Sequence, residues 1–310
     1  MAKFKLEQAI ESSYSFAFRR FLSVLGIAWF PLAVFVGLLC LIAAVLWPEV
    51  QGLQDAVGHG WGANGNFSMS DANWQRVWHL FLHAGHFFGL IWLAALILRT
   101  MVIAGVLETA LGMRQGPQFF YFSLGAPVWR LIGAFIVAGV ATIVVALLTV
   151  AAAAATIWAA QQYAAGILGL VKFLAIAAAV LWIIYFCVRL FYFLPPVVVA
   201  EGAIALGRAW SLGSGNFWRV VALWLATFLP VVIVATILSG ALFGIQENDM
   251  LMAMLKANSP AAAMHVAFSQ YGLLLIGLAV YEIAYFTLML GLGLGAMASA
   301  YKGAAAPEAA

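Results

Sequence analysis

The chain has 310 residues, 66% of them hydrophobic and only 8% charged, with a formal net charge of +3. Water-facing domains carry about 25% charged residues, so a soluble fold is excluded and lipid is the expected solvent. The small net charge and the lack of any long basic run exclude a nucleic-acid partner.

Taken from the N-terminus, residues 1–20 read as an amphipathic helix. Leu6, Ile10 and Ala17 oppose Lys3, Glu7 and Glu11. The apolar run that follows, about 21–47, is longer than the core of a cleaved signal peptide and long enough to cross a bilayer. Five more runs follow near 78–104, 130–158, 168–194, 219–245 and 269–299. Backbone polar groups in hydrocarbon must pair within their own segment, so each run is expected to be a helix. The expected fold is therefore an all-α membrane protein with six transmembrane helices. Cys40 and Cys187 both fall in these runs and read as buried thiols, not as a disulfide framework.

Charge sets the orientation. Lys3, Lys5, Arg19, Arg20, Arg99, Arg114, Arg130, Arg189, Arg208, Arg219 and Lys302 fall on one side of the expected topology, and only Arg76, Lys172 and Lys256 on the other. The positive-inside rule then puts both termini in the cytoplasm, with a bacterial inner membrane as the expected location. The outer loops are short, and none is long enough to fold a separate catalytic domain.

The chain also repeats itself. Ser123–Arg130 reads "SLGAPVWR" and Ser211–Arg219 reads "SLGSGNFWR". Phe18–Pro31 aligns without gaps on Phe217–Pro230, with Arg20 on Arg219 and Pro31 on Pro230. One membrane domain over 1–300 is expected, built as three quasi-repeated hairpins of about 1–104, 105–194 and 195–300, with 301–310 as a flexible tail. Each unit would begin with a cytoplasmic helix, lying either in the interface or as a plain connector. In the third unit, Val199, Ala203, Leu206 and Trp210 would share one face of that helix.

The polar elbow of the third unit offers a candidate lipid-headgroup site made of Arg208, Ser211, Ser214, Asn216, Trp218 and Arg219. Gly213 would end the interfacial helix in a left-handed conformation and Asn216 would cap the next one. In the second unit Gly125 would be the stop and Pro127 would start the span. A phosphate-cradling role for the Gly213–Asn216 stretch is the sharper alternative to a structural elbow.

Two other clusters stand out. His79, His83 and His86 are spaced i, i+4, i+7, which puts them on one face of a helix; zinc or copper is the metal such a face suits. The alternative is a wet helix end beside Trp74 and Trp78. Glu282 lies in mid-span between Tyr281 and Tyr285, and an acid at that depth is expected to face protein or water. Arg99 and Arg189 would snorkel from the inner ends of their spans, within range of Glu108 and Glu201. Gly291 and Gly295 have the spacing that permits close helix contact.

The stretch Phe193–Val221 resembles the membrane domain found beside glycerophosphoryl diester phosphodiesterases. The likeness rests on Pro195, Pro196, Glu201, Ser211, Leu212, Phe217, Trp218 and Arg219. It implies a polytopic inner-membrane protein associated with lipid. The hydrolytic chemistry of that family sits in a separate soluble barrel, for which this chain has no room, so no catalytic residue is inherited.

The expected function is thus non-enzymatic: binding or sensing of lipid or another amphiphile in a groove between repeats. The elbows would gate the groove, Glu282 would lie inside it, and membrane lipids would be the partners. A secondary transporter of a small solute and a scaffold for protein partners are the alternatives.

Overall fold

The computed structural model describes residues 3–58, 71–114, 121, 123–163, 165–255 and 260–305. Every regular element among them is helical: α1 (Leu6–Arg19), α2 (Phe21–Gly58), α3 (Asp71–Leu111), α4 (Ala126–Tyr163), α5 (Leu168–Phe191), α6 (Leu194–Glu201), α7 (Leu206–Gly213), α8 (Phe217–Leu255) and α9 (Pro260–Ala305). Six of them are long and apolar enough to cross a membrane. This is a multi-pass membrane protein. The long helices overrun the apolar runs: α3 has 41 residues, about 60 Å at 1.5 Å per residue. α9 continues through Ala305, so the first half of the expected tail is helical.

The long helices pack as consecutive pairs, α2 with α3, α4 with α5 and α8 with α9, and α3 also touches α4 and α9. The core lies at the end of the bundle that holds α1, α6 and α7, called the basic end below. Met101, Leu107, Leu131, Phe193, Leu194, Leu223 and Leu292 are fully buried there. Toward the far end, large apolar side chains such as Leu147, Leu148, Phe173, Leu181, Ile237 and Leu273 are exposed on the protein surface. That surface is what hydrocarbon would wet. Cys40 is exposed on α2 and not buried, and Cys187 is half-buried.

The N-terminal helix differs from a free interfacial helix. It lies against α8 and α9 with Ala9, Ser13 and Ala17 buried, one residue per turn. Gly291 and Gly295 of α9 receive it: a methyl group on Gly291 would stand 3.2 Å from the Ala17 Cα, and one on Gly295 would stand 3.0 Å from the Phe16 ring. The Ser13 hydroxyl donates to the Leu292 carbonyl at 2.9 Å, and the Tyr14 hydroxyl to the Thr227 carbonyl at 3.1 Å. Small residues let two backbones approach, which is the main source of helix association where lipid removes the hydrophobic drive. The turn from α1 into α2 takes one residue, Arg20, at φ −110°.

The single amphipathic helix expected to carry Val199 through Trp210 is replaced by two short ones, α6 and α7. Gly202, at φ 65°, ends α6, so Val199 and Trp210 do not share a continuous face. The corresponding stretch of the second unit lies largely outside the described residues; there Gly112, at φ 80°, follows the end of α3.

Candidate functional site

The elbow around α7 is tied inward. Arg189 of α5 donates from Nε to the Trp210 carbonyl at 3.2 Å and from Nη1 to the Tyr185 hydroxyl at 2.8 Å. Its guanidinium stacks 4.0 Å from the Trp210 ring centroid, a cation–π contact. Gly213 packs on the same residue, since a methyl group there would stand 2.6 Å from the Arg189 carbonyl oxygen. This corrects the expected role of Gly213. It is the last helical residue of α7, and the left-handed position belongs to Gly215, at φ 77°.

Asn216 also differs from expectation. Its Nδ2 donates backward to the Leu212 carbonyl at 3.0 Å and does not cap α8. The end of α7 leaves orphan carbonyls in a buried setting, and they claim the amide. Its Oδ1 is buried without a hydrogen-bond partner.

The other elbow residues turn to separate tasks. Arg208 pairs with Glu201 at 3.4 Å, and the Tyr301 hydroxyl reaches the same carboxylate at 3.1 Å. The Ser211 hydroxyl donates to the Arg208 carbonyl. Arg219 donates to the Phe4 carbonyl, fastening the N-terminal segment. Trp218 is exposed, and Ser214 is half-exposed. The six side chains therefore do not converge on one headgroup. The backbone N–H groups of Ser214 and Asn216 are already bonded to Ser211 and Gly213, which leaves few donors for a phosphate.

Glu282 is exposed on α9. Beside it Tyr281 donates to the Ala235 carbonyl at 2.6 Å and stacks on Tyr285, 6.2 Å between centroids. Neither tyrosine is hydrogen-bonded to the acid. The histidine face is only partly visible: α3 is helical through all three positions and His79 is exposed, but the side chains of His83 and His86 lie outside the described residues. Among the described residues no three His, Cys, Asp or Glu side chains converge.

A site that the sequence reading did not assemble lies between α2, α3 and α9. One face of each helix lines it: Ala28, Leu32 and Phe35 on α2; Ala95, Arg99 and Val102 on α3; Phe286, Leu290, Gly293 and Met297 on α9. Phe135 of α4, Phe191 of α5 and Pro195 of α6 complete the wall of a cavity of about 740 Å³. The residues of each helix recur at i+3, i+4 and i+7, as one helical face requires. The proline that aligned the first and third units, Pro31, is part of this wall. Glu282 does not line the cavity; it lies one turn beyond Phe286 on the same stripe of α9.

Arg99 is the only charged side chain in the wall. On α3 it lies two residues before Met101, which is fully buried at the basic end, and its own side chain is exposed. Among the described residues no hydrogen bond or ion pair engages it. The suggested partner Glu108 binds Arg114 at 3.4 Å. Nine residues separate Arg99 from Glu108, a rotation of about 180° at 3.6 residues per turn, so the two occupy opposite faces of α3. Arg114 lies 4.9 Å from the Tyr121 ring centroid. Burial pushes the Tyr121 phenol above its ordinary value and Glu108 adds to the shift, while Arg114 opposes it. The other suggested pair, Arg189 with Glu201, is also replaced, because Arg189 is held at Trp210 and Glu201 at Arg208.

Comparison of the chain with protein-family models, with curated proteins and with solved structures gives no match. The cavity and the elbow therefore have to be interpreted from their own chemistry.

Proposed function

We propose that this protein binds an amphiphile drawn from the surrounding membrane, in the cavity between α2, α3 and α9, and that it works by binding and not by catalysis. The observation that supports this reading is the cavity itself. About 740 Å³ of space is walled almost wholly by aliphatic and aromatic side chains, within the range of pockets that hold small ligands. Arg99 and Phe286 are its exposed wall residues, so the site is open at a point where charge and oil meet. The likeness of Phe193–Val221 to the membrane domain of phosphodiesterase proteins points to the same lipid setting. In this reading the three units are repeats, the membrane is a bacterial inner membrane, and the basic end is cytoplasmic. The elbow is a fixed strut and not a gate, because Arg189 and Gly213 hold α7 against α5.

Filling the cavity tests this. Ala95→Trp puts an indole into the space between α2 and α9. Native mass spectrometry of the purified protein in a neutral detergent is expected to show bound single-chain amphiphile on the wild type and none, or far less, on Ala95→Trp. Equal occupancy of the two proteins would remove the cavity as the binding site.

A further inference from the structure

Resting on the reading of the cavity as an amphiphile site, we infer that its occupant is a single-chain amphiphile with a carboxylate head, a long-chain fatty acid anion, held by Arg99. Three observations lead there. The first is charge. Arg99 is the sole charged residue of the wall, and no described residue neutralises it. A guanidinium keeps its charge at any working pH. A wall that is otherwise apolar and keeps one guanidinium without an internal partner is complementary to a ligand of opposite sign. Arg114, Arg189, Arg208 and Arg219 have protein acceptors or carboxylates; Arg19, Arg20 and Arg130 have none among the described residues, but of the arginines without one only Arg99 lines the cavity.

The second observation is stoichiometry. One guanidinium offers a planar fork that matches one carboxylate with two parallel hydrogen bonds. A phosphate monoester, carrying up to two charges, would call for a second cation, and the wall has none. The third is size. The cavity, about 740 Å³, lies in the range of pockets that hold small ligands, and its apolar walls on α2 and α9 suit an acyl chain. The apolar faces of α2 and α9 would hold the chain, with Phe35 and Phe286 beside it.

The test compares oleate with oleyl alcohol, which share a chain and differ in charge, in titrations of the full-length protein in a neutral detergent. Wild type is expected to bind oleate about tenfold more tightly, the order of a charge-assisted pair at a partly exposed site. Arg99→Gln is expected to lower oleate binding to the level of the alcohol, while size-exclusion chromatography and thermal stability in the same detergent show that the variant is folded. Arg99→Lys should restore part of the preference. Three results would overturn the inference while leaving the cavity reading intact: equal binding of the two ligands by wild type, a preference for oleate that survives Arg99→Gln, or lysophosphatidate binding more than tenfold above oleate. Retention of both ligands by Ala95→Trp would instead overturn the cavity reading and the inference with it.

Discussion

The elbow makes a prediction whose sign alone is decisive. Gly213 closes α7 in a helical conformation, and in a helix alanine is favoured over glycine by about 1 kcal/mol. If Gly213 were there only to stop a helix, or had free space around it, Gly213→Ala would be neutral or stabilising. The structure gives the opposite expectation. The added methyl group would lie 2.6 Å from the Arg189 carbonyl oxygen and 2.7 Å from its Cγ. The oxygen is backbone and cannot swing aside, so α7 must lift from α5. Overpacking of this kind costs about 1–3 kcal/mol, and the lift also stretches the 3.2 Å bond from Arg189 to Trp210. After the helical gain is offset, Gly213→Ala should destabilise the protein by up to about 2 kcal/mol. Gly215 provides the contrast. Its φ of 77° costs a non-glycine residue about 1–2 kcal/mol, but asparagine tolerates that region, so Gly215→Asn should recover most of the loss. No such rescue exists at Gly213, where any side chain collides. The assay is the fraction of protein that stays monodisperse after heating in detergent, with Gly240→Ala as reference because nothing lies within 4 Å of that position. A Gly213→Ala variant as stable as wild type, or more so, would refute the packing argument and return Gly213 to the role of a helix stop.

Two further outcomes follow from the same geometry. Burial raises the Tyr121 phenol, with Glu108 adding to the shift, so the folded chain keeps that proton above pH ~10, where the unfolded chain releases it. The associated stability is present below that pH and is lost as pH climbs through the raised value; the thermal-stability gap between wild type and Tyr121→Phe should therefore narrow from pH ~9 to ~11, and a constant gap would contradict the burial. For orientation, a fluorescent-protein fusion to the C-terminus in a bacterial host should fluoresce and an alkaline phosphatase fusion should be inactive; the reverse pattern would place the basic end outside.

The helices were legible because their cause is local. A run of some twenty apolar residues has few alternatives in lipid, and six such runs became six long helices. What the sequence did not show is which face of each helix meets which neighbour. Arg99 illustrates this. Its distance of nine residues from Glu108 already places the two on opposite sides of one helix, a signal present in the sequence that argues against their pairing. That Arg99 faces a cavity depends on α2 and α9, which are remote in sequence and set by packing. The elbow failed in a different way. Two glycines two residues apart look alike on paper, and only the approach of α5 shows that Gly213 supplies space while Gly215 supplies a left-handed turn. Asn216 had the right residue type for a cap, but an orphan carbonyl behind it competed for the same amide.

The glycines also explain where the core lies. In lipid there is no hydrophobic gain in moving a leucine from hydrocarbon to protein, so helices associate where backbones can approach closely. A methyl group added to Gly105, Gly213, Gly291, Gly295 or Gly303 would meet a neighbour at 3.2 Å or less, and all five lie toward the basic end. Gly37, Gly89, Gly139, Gly240 and Gly244, farther along the spans, have nothing within 4 Å. The closest glycine contacts thus gather toward the basic end, although Gly112, Gly207 and Gly215 there have open space and Gly277 farther along α9 meets Phe243 at 3.3 Å. The cavity lies alongside the packed segment of α9. Gly291 and Gly295 bring α1 against one face of that segment, while Leu290, Gly293, Leu294 and Met297 present another to the open space. Gly293 at the same time admits the Phe228 ring of α8, 3.0 Å from where a methyl group would stand, and Leu294 is buried, so the α9 wall of the cavity is itself backed by tight packing, and Arg99 faces it from α3.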